Sequence, residues 1–339
     1  MHKKARLVTN NYFRNEAKKA AIIYPLVFLI LSSLAVSYFT LRDLEWEEHV
    51  SIQRGFWLFS SGLLFFTSLY LVINNALIHT HSGRKMMRAC KLSNSCVYDI
   101  SNKCVSAVQA LFCCLTGLTS TTYSCSRDML QTSHYISEAY AWFGAAYFAY
   151  DIWSMYKVWS SKVTQPDMTG VSNKLILKTC RLTAYIANNF MIVAHHIFIG
   201  AFGFLVITYL RGGLGDCFFG YIYLMEASTP FVSLRGIISK IGLKESRWYV
   251  ANGLVMLATF FVFRVAMFPY VISLYAKSIQ ADFLTAVKKL PRNCLVSIGI
   301  LMIPQVYWFL LMVKGATQIL MKKNSASSSN NNNLRKKSR

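Results

Sequence analysis

Charge is scarce in this chain, and acidic charge scarcer still. Only 15% of its 339 residues are charged, where a soluble domain carries about a quarter. With 54% hydrophobic residues and a mean hydropathy of +0.36, the composition is that of a membrane protein. Acidic residues number 14 against 36 basic ones, giving a net charge of +22. A nucleic-acid binder of that charge needs a basic face interleaved with base-stacking aromatics. Here the basic residues gather in short stretches between apolar runs, as the positive-inside rule produces, so nucleic acid is not a partner. CxxC spacing is absent among the nine cysteines, several of which lie in apolar stretches, and no disulfide framework is expected. His79, His81, Cys90 and Cys96 share one basic loop, but their spacing matches no common zinc site, and no metal site is expected. No glycosylation sequon occurs, and no small-residue cleavage site follows the first apolar run, which therefore stays as a span.

What the chain does have is apolar runs. They lie at about 21–40, 55–78, 99–123, 136–158, 185–210, 216–236, 249–273 and 294–320, each near the roughly 20 residues a helix needs to cross the hydrocarbon. The expected fold is an all-α polytopic membrane protein with about eight transmembrane helices. A basic head (1–20) precedes the first run, and basic stretches recur at 84–91, 157–181 and 235–247, alternating with acidic or near-neutral ones. That alternation puts both termini in the cytosol. The loop 277–293 disagrees, carrying Lys277, Lys288, Lys289 and Arg292 on the far side. The tail, 321–339, is low-complexity and polar and reads as disordered. It ends with Lys336 and Lys337 at the spacing of a dilysine retrieval signal, which points to the endoplasmic reticulum membrane, with the Golgi and plasma membrane as alternatives.

Ionisable groups inside the runs mark the candidate site. An ionisable side chain at mid-bilayer costs about 2.5–3.5 kcal/mol, so it faces a cavity or a partner. Plain interhelical hydrogen bonding, worth about 0.6 kcal/mol each, would account for one or two such groups. Several recur here at matching depth. Gln109, the adjacent His195 and His196, and Glu226 each lie roughly 15 Å from the cytosolic end of their run, and Asp151 about 10 Å. Arg264 and Gln305 come deeper. A polar chamber open to the cytosol explains one level shared by several helices.

Side-chain direction separates the two histidines, since neighbours on a helix point about 100° apart. His196 shares a stripe with Gly200 and Gly203, which lets another helix approach. His195 shares its face with Asn188, Ile192 and Ile199. One imidazole can meet substrate while the other holds a helix. Glu226 is followed by Thr229 and Pro230, and the proline kinks the helix beside the carboxylate.

The order and spacing of these pieces resemble the TLC domain, in particular the ceramide synthase-like branch typified by TLC domain-containing protein 3. The segments are YFAYDIWSMY (147–156), AHHIF (194–198), GGLGDCFFG (212–220), EASTPFVSLR (226–235), NGLVMLATFF (252–261), RVAMFP (264–269) and PQVYWF (304–309). The likeness covers roughly 95–320, leaving 21–94 as two additional N-terminal spans with their basic loop.

The resemblance implies a helical bundle around a central cavity. It also implies N-acyl transfer from fatty acyl-CoA to a sphingoid base, without a resident cofactor, among membrane lipids, with a homo-oligomer as one arrangement. Carried over residue by residue, His195 and His196 are the catalytic pair and Glu226 the supporting acid, with Gln109, Asp151, Asn188, Thr229 and Arg264 lining the cavity. An imidazole can attack a thioester or take a proton from an amine, and a nearby carboxylate fixes its tautomer.

Three departures stand against simple transfer. Ile197 follows the pair where ceramide synthases have threonine, Glu226 is a single acid with Thr229 at the second position, and Gln109 replaces a histidine. Two functions therefore stand side by side: an N-acyltransferase making ceramide, and a non-catalytic lipid-binding protein that regulates membrane lipid composition or transport.

Overall fold

A computed structural model describes residues 20–162 and 174–337, with side chains from 20 to 162 and from 179 to 318. The basic head, positions 163–173 and the side chains of the dilysine pair lie outside the described residues. Those described fold into helices, with no strand among them. Backbone polar groups in hydrocarbon can be satisfied only within a helix or a closed barrel, and the apolar runs take the first solution.

The helices in chain order are α1 (Ile23–Leu41), α2 (Ile52–His79), α3 (His81–Ala89), α4 (Asn94–Ser124), α5 (Tyr135–Ser160), α6 (Lys174–Asn188) and α7 (Phe190–Ile197). After α7, π-helical turns at Phe198–Gly203 and Val206–Leu210 continue the same rod. Then come α8 (Asp216–Leu224), α9 (Thr229–Lys240), α10 (Arg247–Phe260), α11 (Met267–Ser278), α12 (Phe283–Lys289) and α13 (Arg292–Lys337). Among the described residues, six stretches are long and apolar enough to cross a membrane: Ile23–Leu41, Ile52–His79, Asn94–Ser124, Phe190–Leu210, Arg247–Ser278 and Arg292–Gln318. The other two apolar runs of the sequence are also helical. α5 is 26 residues long but rich in Tyr and Trp, because other helices rather than lipid surround it. The sixth run is broken by a 3₁₀ turn at Met225–Ser228, immediately before Pro230, where the missing N–H interrupts the helical ladder.

Two compact units divide the chain: Met1–Leu224 with Gly236–Leu243, and Met225–Arg235 with Lys244–Arg339. In the first unit, α5 is the central post. Its Phe143, Tyr147 and Tyr150 pack on Phe65, Phe66 and Tyr70 of α2, with ring centroids mostly 5–6 Å apart. That spacing suits edge-to-face aromatic pairs, each worth about 0.5–1.5 kcal/mol beyond burial. α4 and α8 come close enough that a Cβ at Gly117 would lie 2.6 Å from the Gly220 carbonyl oxygen. α1 turns Phe28, Leu31 and Phe39 outward, as a helix in lipid does.

One cysteine expectation is corrected. Cys125, just past α4, is bridged to Cys217 in α8. The signal was present, since both cysteines end up on the same non-basic side of the charge alternation. Around that end, the Tyr135 amide bonds to the Trp46 carbonyl, Gly215 to Leu130 and Asp216 to Thr132. Arg211 pairs with Asp216 there, and Glu138 bonds His49 at 2.9 Å. At the opposite end of α4, Asp99 meets Lys103, Lys162 and Lys240. The bridge and the lysine cluster thus lie at opposite ends of α4.

In the second unit, Arg264 lies in a π-helical segment, Phe261–Ala266, between α10 and α11. Asn252 donates to the Phe231 carbonyl at 2.9 Å, and Arg235 donates to the Tyr249 carbonyl at 3.1 Å.

Candidate functional site

Helices α2, α5 and α7 of the first unit enclose a groove of about 480 Å³. Its walls are apolar, with Phe56 from α2, Trp142 and Phe148 from α5, and Ile197 and Phe204 from the α7 rod. His196 is the one ionisable side chain lining it. Close approach at Gly200 shapes it, because a Cβ there would lie 2.7 Å from that of Phe148. The expected small-residue stripe is thus half used: a Cβ at Gly203 would meet only Ile199 of its own helix, at 3.8 Å. The lining runs along α5 from Ile152 to Trp142, about 15 Å of helix. His196 and Ile152 mark the end toward the lysines; Trp142 and Phe204 stack edge-to-face at 4.7 Å at the other. The π-helical turns begin directly after His196 and its neighbour, and such bulges recur at functional sites.

His196 is held from two sides. Its Nε2 lies 2.8 Å from Asp151 Oδ2 and its Nδ1 lies 2.7 Å from the Ile192 carbonyl oxygen. A carbonyl accepts only, so Nδ1 carries a proton. The second contact then needs one further proton, on Nε2 or on the carboxyl. Either way, imidazole and carboxyl share two protons in a place with little water: the side chains are 13% and 5% exposed. Asp151 Oδ1 is buried and has no hydrogen-bond partner among the described residues, and the same holds for the Tyr185 hydroxyl. His195 stands next to His196 with the ring planes at 87° and the centroids 5.8 Å apart.

The other sequence candidates of the first unit are Gln109 and Asn188. Gln109 is buried in a mutual bond with Tyr140: its amide donates to the phenol oxygen and the phenol donates to its backbone carbonyl, each at 3.1 Å. Asn102 of α4, rather than Gln109, bonds at the level of Asp151, accepting from Tyr150 at 3.1 Å and Ser154 at 2.6 Å. The single level read from the sequence therefore splits in two along α5. Asn188 is exposed at the end of α6. Glu226, Thr229 and Arg264 come together in the second unit. Arg264 reaches Glu226 Oε2 at 3.1 Å, Thr229 Oγ1 at 2.7 Å, Ser228 Oγ at 2.8 Å and Gln305 Oε1 at 3.2 Å, and Thr229 donates to Glu226 at 2.5 Å. That network ties the 3₁₀ break to the neighbouring helices, as a buried cation must be tied.

Sequence reasoning missed the groove walls. Their signal is the recurrence of Trp142, Ala145, Ala149 and Ile152 at three- and four-residue spacing, one face of α5, with small residues between bulky ones.

These features define a polytopic helical membrane protein with an apolar, lipid-sized groove ending on a buried imidazole–carboxylate pair. The TLC domain profile (TRAM_LAG1_CLN8) matches residues 99–314, more than half of the chain. The protein belongs to the TLC domain family, whose members take part in lipid metabolism or its regulation. Among curated proteins, TLC domain-containing protein 4-A of Xenopus laevis and TLC domain-containing protein 4 of Xenopus tropicalis are each 35% identical over 79 residues. The matched stretch is 23% of this chain and 29% of each relative, so the chain aligns with under a third of their length. These relatives bear the type 4 name, and the likeness is to the TLC domain at large rather than to the type 3 or ceramide synthase branch expected from the motifs.

Proposed function

We propose that the protein is a ceramide synthase-like N-acyltransferase of the endoplasmic reticulum membrane, joining a fatty acyl group from acyl-CoA to a sphingoid base. The observation that carries this reading is the His196–Asp151 pair at the cytosolic head of the apolar groove. The acyl chain lies in the groove with its thioester at the histidines. His195 takes the reacting role. It attacks the thioester carbonyl, or it removes the proton from the incoming amine as nitrogen bonds to the acyl carbon and the thiolate leaves. Asp151 fixes the orientation of His196, and His195 acts in its neutral form, the one that can be nucleophile or base. The unbonded Oδ1 of Asp151 is an acceptor for the ammonium or hydroxyl of the base. Glu226 and Arg264 hold the 3₁₀ break of the second unit.

A second reading rests on the same contact. Both ring nitrogens of His196 are engaged, as in a purely structural pair, and the protein would then bind lipid and regulate membrane composition without chemistry. Membranes from cells stripped of their own ceramide synthases separate the two. The wild type should convert acyl-CoA and sphinganine to N-acyl product, and His195→Ala should abolish it while remaining inserted. Product formed by neither at any chain length leaves the lipid-binding reading, and product formed equally by both removes His195 from the chemistry.

A further inference from the structure

At the lysine-bearing end of the first unit, three helix ends supply ammonium groups to one carboxylate. Asp99 Oδ1 lies 2.5 Å from Lys103 Nζ of α4. Its Oδ2 lies 3.0 Å from Lys240 Nζ at the end of α9 and 3.8 Å from Lys162 Nζ just past α5. The lysine side chains are 29%, 30% and 45% exposed above an aspartate at 12%, so the ammonium groups form the wet surface and the carboxylate its floor. One carboxylate cannot balance three ammonium groups. Each ammonium has three donors; Lys103 and Lys240 lie within bonding distance of Asp99 and Lys162, at 3.8 Å, does not, so the cluster keeps two positive charges and most of its donors unspent. Arg181 stands beside it, donating to the Ser160 carbonyl at 3.1 Å, with a buried Nε that has no partner among the described residues.

We propose that the Lys103–Lys162–Lys240 cluster is a phosphate-binding site. A phosphate dianion bridging the three ammonium groups would bring the cluster to neutrality and take up the donors that Asp99 leaves. Its position also fits the donor substrate. Lys162 follows Asp151 along the α5 direction by about 16 Å, a reach that the pantetheine arm of coenzyme A covers. The phosphate has two sources, the nucleotide end of coenzyme A and the headgroup of an anionic lipid. The choice of coenzyme A rests on the acyl-transfer reading above; the phosphate site does not.

Binding to the full-length protein in detergent tests the site. The probes are coenzyme A, followed by calorimetry, and phosphatidic acid against phosphatidylcholine, followed by native mass spectrometry. The Lys162→Gln/Lys240→Gln variant should bind phosphate ligand about tenfold or more weakly, since it loses two charge-assisted contacts. Asp99→Asn should bind it more tightly, because the floor no longer neutralises a cation. A mere pin between helices predicts the opposite for Asp99→Asn, a lower melting temperature with no gain in binding. Changes confined to coenzyme A assign the nucleotide, and changes confined to phosphatidic acid assign the lipid. Neither ligand responding to either variant overturns the proposal. His195→Ala should bind coenzyme A like the wild type, which separates loss of this site from loss of the transferase reading.

Discussion

Replacing His196 by leucine should destabilise the protein more than replacing Asp151 does, and replacing both should restore most of the loss. His196→Leu leaves a carboxyl 5% exposed with its one bonded oxygen stripped of its partner, and stranding one partner of a buried pair costs about 3–5 kcal/mol. Asp151→Leu leaves an imidazole that can shed a proton and keep its bond to Ile192, so the loss is nearer the roughly 1–3 kcal/mol of an unsatisfied polar group. The double leucine variant removes both desolvation penalties, and apolar replacement of a buried pair is commonly neutral or better. Thermal unfolding of purified protein in detergent reads all three. At about 2 °C per kcal/mol for a chain of this size or somewhat less, His196→Leu should melt several degrees below the wild type and the double variant within a degree or two of it. A His196→Leu protein that melts like the wild type, or a double variant worse than either single, would refute the buried pair.

Four further outcomes follow from the structure. Gly200→Leu places a side chain where even a Cβ is 2.7 Å from Phe148, and should block binding of long acyl chains; Trp142→Ala opens the far end and should shift the preferred chain to longer ones, both read by chain-resolved lipid mass spectrometry. Cys125→Ser removes a crosslink between positions 92 apart and should cost about 2–4 kcal/mol, with the same loss when the wild type is reduced; no change would mean the cysteines are unbridged. His134, which caps α5 by accepting from the Ile136 amide at 3.1 Å, has its pKa held below 6.5 by burial, with Arg127 adding to the effect and Asp216 opposing it. The unfolded chain then takes up the proton first as pH falls, so this contribution to stability is intact above 6.5 and is lost as pH drops toward the folded-state value. His134→Asn, which keeps a capping acceptor, should flatten that part of the profile between neutral and acidic pH.

Spans and the ionisable residues within them were legible because each depends on local composition. Apolar runs must be helical in lipid. What could not be read was helix rotation and cross-helix pairing. Asp151 and His196 are both visible as costly intramembrane groups, but only the packing of α5 on α7 shows that they bond to each other. Within its own unit Glu226 meets Arg264, a pairing made at the 3₁₀ break that precedes Thr229 and Pro230. Gln109 and Asp151 looked level because span ends shift by a few residues, enough to hide that Gln109 faces Tyr140 and Asn102 lies beside Tyr150. The Cys125–Cys217 bridge and the lysines on Asp99 are long-range pairings, and nothing local announces either.

The most direct test of the central claim is a single-turnover reaction of the purified protein in liposomes, with labelled acyl-CoA and excess sphinganine, followed by mass spectrometry. N-acyl sphinganine that forms with the wild type, slows sharply in Asp151→Asn and vanishes in His195→Ala is the result expected of a transferase built on this pair. Folded, lipid-bound wild-type protein that yields no N-acyl product with any acyl chain would contradict it and leave a TLC-domain lipid binder.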